Sequence, residues 1–307
     1  MDVAVTSLAS VFSIILLGYA LKRYRIISDA AFAGFERITY LVFFPAVIVQ
    51  TLAMAKLSDT PLVSVALSLI GAILIMAGAL TLVRPLLARL GIDGPAYTSV
   101  FQGATRWNTF IAISLAGSLF GAPGLALMAV AVAAMVPLLN VMCVVVLTRH
   151  GGGGPVSISR LIRTVLANPF VWSCILGLAL HPVAARLPEF LTLSLDILGR
   201  AALAGGLIVV GAGLEISRLR RPGLATLLSV GLKLFAMPAL AYTLAYNLGL
   251  RDVALQTVMI AASVPTATAA YILARQMGGD SGLMAEITTS QTLLAMLTMP
   301  LILLLVT

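Results

Sequence analysis

"FQGATRWNTFIAISLAGSLFG", residues 101–121, decides the fold. Its ends are apolar enough for a membrane-spanning helix, yet its middle sets Arg106, Trp107 and Asn108 side by side. Arg106 lies about 16 Å beyond Pro95 at the helical rise. That is near the middle of a hydrocarbon layer about 30 Å thick, too deep for easy snorkelling. An ionisable group there costs about 2.5–3.5 kcal/mol on insertion scales and faces a cavity or a partner. A second stretch, "TVMIAASVPTATAAYILARQMGG" at 257–279, is interrupted at similar depth by Pro265, flanked by Ser263, Thr266 and Thr268. Proline removes a backbone donor and clashes with the preceding turn. The first stretch has no proline there, but it has Gly103, Thr105, Arg106, Asn108 and Thr109. Lipid does not tolerate unpaired backbone, so both breaks must face protein or a wet cavity. Two half-helix N-termini meeting there carry partial positive charge and suit an anionic ligand.

Composition sets the surroundings of these two stretches. Of 307 residues, 61% are hydrophobic and only 10% charged, and mean hydropathy is +1.10. Soluble domains carry roughly 25% charged residues, so the chain reads as one all-α integral membrane domain over 1–307. The net charge of +8 would suggest nucleic acid in a soluble protein; here basic cytoplasmic loops account for it, and no nucleic acid is expected. Cys143 and Cys174 lie in apolar runs, which argues against a disulfide framework. His150 and His181 sit far apart, no metal-ligand set is visible, and no cofactor is implied. The first apolar run, 3–21, has no basic leader and no A-x-A site. Lys22, Arg23 and Arg25 follow it, so it reads as a retained helix rather than a signal peptide.

Ten apolar runs are long enough to span, at about 3–21, 37–55, 62–83, 96–119, 124–148, 161–181, 190–213, 223–247, 253–275 and 283–306. Alternate loops are basic. One set holds Lys22, Arg23, Arg25, Arg37, Arg84, Arg89, Arg149, Arg160, Arg163, Arg218, Arg220, Arg221 and Arg275. The other holds only Lys56, Arg186 and Arg251. The first set is expected to be cytoplasmic, with both termini outside, as in a multi-pass protein of the bacterial inner membrane. Gly18 aligns with Gly177 and Gly121 with Gly279, at offsets that differ by a single residue. Five spans is an odd number, so a second copy must enter from the opposite side. The expected architecture is therefore two inverted five-helix repeats, about 1–148 and 161–307. A glycine-rich linker at 149–160 joins them, and spans 4 and 9 are the broken crossover helices.

"ASVPTATAAYILARQMGGD" (262–280) resembles the late signature of the auxin efflux carrier (AEC) family. Residues 101–121 resemble its fourth-helix crossover motif, with Asn108 at the family's asparagine. "VPLLNV" (136–141) and "LLGYALKRYRIIS" (16–28) fit as well, so the similarity covers essentially the whole chain. The resemblance implies the fold shared distantly with bile acid:sodium symporters. In that fold spans 4 and 9 cross at the substrate site, and spans 1, 2, 6 and 7 form a moving scaffold. It also implies small carboxylates as substrates, such as malate, malonate or auxin-like acids. The plant carriers follow the asparagine with proline, whereas Thr109 follows Asn108 here.

The expected function is secondary transport of a small organic anion by alternating access at the 4/9 crossover; the alternative is an anion channel or uniporter-like pore. Candidate substrate-binding residues are Arg106, Asn108, Thr105, Thr109, Pro265, Thr266 and Thr268. Arg106 either meets a carboxylate or forms a buried ion pair between helices. Asp196, Arg200 and Lys233 form a candidate coupling or charge network. Asp196 and Arg200 are spaced to pair on one helix face, and Lys233 would take a carbonyl or carboxylate partner. Asp280 reads as the cap of span 10, and Glu286 as a partner for Arg275. Proton coupling or uniport is expected ahead of sodium coupling, since no acidic ligand accompanies the amides and hydroxyls. Gly151 to Gly154 lack the lysine of a phosphate-binding loop. With no hydrolase motif around Ser290, the chain is not expected to be an enzyme. The bilayer is its partner, and a homodimer is compatible with the sequence.

Overall fold

In the computed structural model, residues 2–55, 61–152, 167–219 and 222–306 are described, and every regular element among them is helical. Most of the expected linker, the start of span 6, and Lys56, Arg160, Arg163, Arg220, Arg221 and Thr307 lie outside the described residues. The α-helices are α1 (Asp2–Arg23), α2 (Asp29–Ile38), α3 (Phe44–Met54), α4 (Leu62–Arg89), α5 (Gly94–Thr105) and α6 (Thr109–His150). After the linker come α7 (Pro169–Leu180), α8 (Glu189–Ala212), α9 (Leu224–Gly231), α10 (Met237–Asn247), α11 (Asp252–Ser263), α12 (Ala269–Gln276) and α13 (Ser281–Leu304). Among the described residues, eight helical stretches are long and apolar enough to cross a membrane; α11 is shorter, with 12 residues.

Starts and stops follow local chemistry. Asp93, Asn108, Asn168 and Asp280 each accept a hydrogen bond from the first turn of the helix they precede. The Asp280 cap is the one expected from sequence. Pro45 and Pro238 each follow a π-helical turn, at Thr39–Phe43 and Leu232–Ala236. In those turns the Phe44 N–H reaches back to the Thr39 carbonyl and the Met237 N–H to that of Leu232, widening the helix where the proline ring must fit. Thus α2 and α3 form one stretch of 26 residues, and α9 and α10 another of 24. Arg37, expected in a loop, lies inside α2.

The 42 residues of α6 are not one straight rod. Gly121 takes φ 60°, ψ −139°, a conformation open to glycine. A methyl on Gly124 would fall 2.6 Å from the Ala116 carbonyl oxygen, and Leu125 packs on Gly117, so the chain doubles back at this point. The 57-residue stretch Gly94–His150 therefore holds α5, a break at 106–108, and a helical hairpin. Around it, α6 packs on α4, α8 and α11, and α1 lies along α8. Methyls on Gly18 and Gly211 would collide with the carbonyls of Ile208 and Ile15, so α1 and α8 approach backbone to backbone through small residues.

Candidate functional site

Both expected breaks are present, and each has its own cause. In the second, Val264 is extended (φ −62°, ψ 146°), as a residue before proline must be, which ends α11. In the first, Arg106 is extended (φ −70°, ψ 158°) without a proline. Asn108 compensates: its Oδ1 accepts from the Phe110 and Ile111 N–H groups at 3.1 and 3.2 Å and starts α6.

The two breaks touch. The Thr266 hydroxyl donates to the Gly103 carbonyl at 2.8 Å, and the Thr266 N–H donates to Gln291 Oε1 at 2.9 Å. Gln291 Nε2 donates to the Gly103 carbonyl at 2.9 Å and lies 3.2 Å from that of Ser229. Gln291 is wholly buried and ties α5, α9, α13 and the second break into one junction. Gly103 sits at its centre, where a methyl would strike the Ser229 hydroxyl.

Beside the junction lies a cavity of about 520 Å³, within the usual size range of small-molecule sites. Of the sequence candidates, Arg106, Asn108, Thr109 and Thr268 line it. Thr105, Pro265 and Thr266 do not: Thr105 bonds back to the Phe101 carbonyl at 2.7 Å, Thr266 belongs to the junction, and Pro265 is buried. The wall also includes Trp107, Asn140, Asn168, Gln276, Glu36 and Arg37, together with the rings of Tyr40, Phe110 and Phe170. Trp107 was not among the candidates, because an indole in an apolar run reads as core.

Two residues of the wall hold donors that lack acceptors. Arg106 Nη1 and Trp107 Nε1 are buried with no hydrogen-bond partner among the described residues. Asn108 uses its oxygen for the cap, which turns its amide nitrogen to the other side. Asn168 does the same, its oxygen accepting from the Phe170 N–H at 2.9 Å. Buried donors without acceptors are costly, by about 1–3 kcal/mol each, unless something else fills the role.

The remaining charges are placed as follows. Asp196 and Arg200 pair at 2.9 Å, and Gln50 Nε2 lies 3.5 Å from the same carboxylate. They line a second cavity of about 590 Å³ rather than the first. Lys233 is fully buried in the π-turn of Leu232–Ala236, and its Nζ has no partner among the described residues, where a carbonyl or carboxylate was expected. Glu286 accepts from the Thr226 hydroxyl at 2.8 Å, and no ion pair with Arg275 forms among the described residues. Arg106 likewise has no ion pair there.

Residues 154–303 match the family model described as "Membrane transport protein". The chain is also 26% identical over 296 residues to an uncharacterized transporter of Methanothermobacter thermautotrophicus, with 95% of each chain covered. Both matches support the auxin efflux carrier family that the sequence resembles. The chain is thus a multi-pass membrane transport protein. Its family match takes in the second break and Gln291, and the relative covers the first break too.

Proposed function

We propose that this protein is a secondary carrier of small organic anions, with the carboxylate bound at Arg106, Trp107 and Asn108. One observation carries the reading: three consecutive residues at a break in the membrane helix line one cavity, and two of them, Arg106 and Trp107, hold buried donor nitrogens with no partner among the described residues. A carboxylate offers up to four acceptor sites and matches the planar fork of a guanidinium. The charged residues of the wall are Arg37, Arg106 and Glu36, a net positive set that favours anions. Thr109 and Thr268 add hydroxyls, and the Tyr40, Phe110 and Phe170 rings receive the apolar body of the substrate.

The architecture fits ten spans in two inverted repeats. The hairpin at Gly121 separates spans 4 and 5, and α11 with α12 makes a broken span 9 opposite the broken span 4. The junction of Thr266, Gly103 and Gln291 joins the two broken spans into a unit that can move as one body. Alternating access then consists of that unit shifting against α2 and α7, which line the cavity, and α3 and α8 packed on them. The exposed residues of the first cavity's wall include Arg37 and Gln276, beside Arg275, which belong to the cytoplasmic end by the bias of basic residues. Coupling is to protons or absent; no sodium site is assigned.

Counterflow tests the reading. Purified protein in liposomes preloaded with unlabelled malonate, malate or indole-3-acetate should take up the labelled acid transiently above equilibrium and saturably. A non-saturating flux with no counterflow would identify a channel instead, and no flux of any of these acids would remove the carboxylate assignment.

A further inference from the structure

The linings of the two cavities continue along shared helices, with an aromatic pair between them. Along the stretch of α2 and α3, Tyr40 lines the first cavity, and Val47 and Thr51 line the second. Phe44 lies between them on the same helical face, lines neither cavity, and is wholly buried. Along α6 the matching face runs from Phe110, in the first cavity, through Ser114 and Gly117 to Gly121, in the second. The Phe44 and Phe110 rings stack at 4.4 Å with 13° between their planes. Across from them is Gly206 of α8, where a methyl would fall 2.8 Å from the Phe44 ring and 3.1 Å from Phe110 Cβ. Glycine there makes the room the ring occupies. One turn away, the Ser114 hydroxyl donates to the Leu203 carbonyl at 2.9 Å, and Leu203 already belongs to the second cavity.

The polar groups of the second cavity gather around one carboxylate. Arg200 Nε donates to Asp196 Oδ2, and Gln50 Nε2 reaches Asp196 Oδ1, with Thr51 nearby in the wall. The Arg200 side chain is 79% exposed, and among the described residues only its Nε is engaged. A guanidinium holding an internal carboxylate by one edge has its other nitrogens free for an incoming one.

We propose that the second cavity is an outer capture station for the same carboxylates, with Arg200 as the group that receives them and the Phe44–Phe110 stack as the gate to the inner cavity. The proposal rests on the carrier reading for its direction and ligand class. Asp196 keeps Arg200 oriented while no anion is present. Displacement of the Phe44 ring from the Gly206 niche joins the two cavities along the face from Tyr40 to Thr51.

Thiol labelling tests the station and the gate without requiring transport. The full chain is reconstituted in liposomes, with wild type as the control for buried Cys143 and Cys174. Thr51→Cys should react from the second-cavity side, and the anionic sulfonatoethyl methanethiosulfonate should react about tenfold faster, relative to its rate with a free thiol, than the cationic trimethylammonium reagent. Arg200→Gln in that background should abolish the preference. For the gate, Asn140→Cys in the first cavity should react slowly from the second-cavity side. It should react at least tenfold faster when Phe44→Ala is added, and by an intermediate factor with Phe44→Leu, which keeps most of the volume. Thr51→Cys labelling with no Arg200-dependent charge preference overturns the station. Unchanged Asn140→Cys reactivity in both Phe44 variants, each monodisperse by gel filtration, overturns the gate. Loss of carboxylate counterflow with these labelling patterns intact would instead count against the carrier reading.

Discussion

Arg106 lies in a membrane-spanning stretch with one guanidinium nitrogen buried and unbonded. Removing such a group should not destabilise the fold, because no ion pair is broken and the cost of burying a charge disappears. Arg106→Ala is therefore expected to melt at or above the wild-type temperature while carboxylate affinity falls about 10- to 150-fold, the equivalent of one charge-assisted hydrogen bond. Arg106→Lys, which keeps charge but loses the fork, should fall between. Thermal shift and binding on the same samples read both, and a collapsed melting temperature with unchanged binding would make Arg106 structural. Trp107→Phe separates the indole donor from the ring: it keeps the aromatic volume and removes a neutral donor worth about 0.5–1.5 kcal/mol, or roughly 2- to 12-fold in affinity. Unaltered affinity would take Trp107 out of the site. Arg106 and Asn108 are legible in the sequence because they are polar where lipid forbids it. Trp107 is not, because its single N–H is hidden in an apolar side chain.

At the level of elements, the two breaks are alike in depth and unlike in origin. Pro265 dictates the second through the extended Val264 before it, whereas the first exists because Asn108 restarts a helix. This explains why Pro265 is legible and its surroundings are not. A proline acts on its own chain, but the role of Thr266 depends on Gly103 and Gln291, which are 163 and 25 residues away. Gln291 reads as an ordinary polar residue in a helix until its partners are seen. Two substitutions distinguish these parts. Pro265→Ala restores a backbone donor and favours continuous helix, so carboxylate uptake should be lost with near-normal expression; wild-type uptake would reduce Pro265 to a kink. Gln291→Leu leaves the Thr266 N–H without its acceptor in the junction, which should lower stability by about 1–3 kcal/mol. A thermal shift indistinguishable from wild type would mean that the junction does not hold the broken spans together.

At the scale of the whole molecule, helix content and membrane class follow from composition, because 61% hydrophobic residues with 10% charged leave no soluble alternative. The path between the cavities does not follow from it, since Phe44, Gly206 and Arg200 look like ordinary span residues and meet only through packing. Orientation lies between these extremes, because it is set by the distribution of charge across loops rather than by any contact. Gly152, at the end of α6 beside Arg149, belongs to the basic end, and Ala122, at the hairpin, belongs to the sparsely charged one. Both are exposed, and the helix from the hairpin to His150 separates them by more than the thickness of a bilayer core. A cysteine at Gly152 should therefore react with an impermeant reagent only from the cytoplasm, and one at Ala122 only from outside. The native cysteines are buried and supply a low background. The reverse pattern would turn the first cavity outward and exchange the roles of the two cavities. Labelling of both from one side would mean that residues 122–150 do not span the membrane, and the ten-span reading would fall with them.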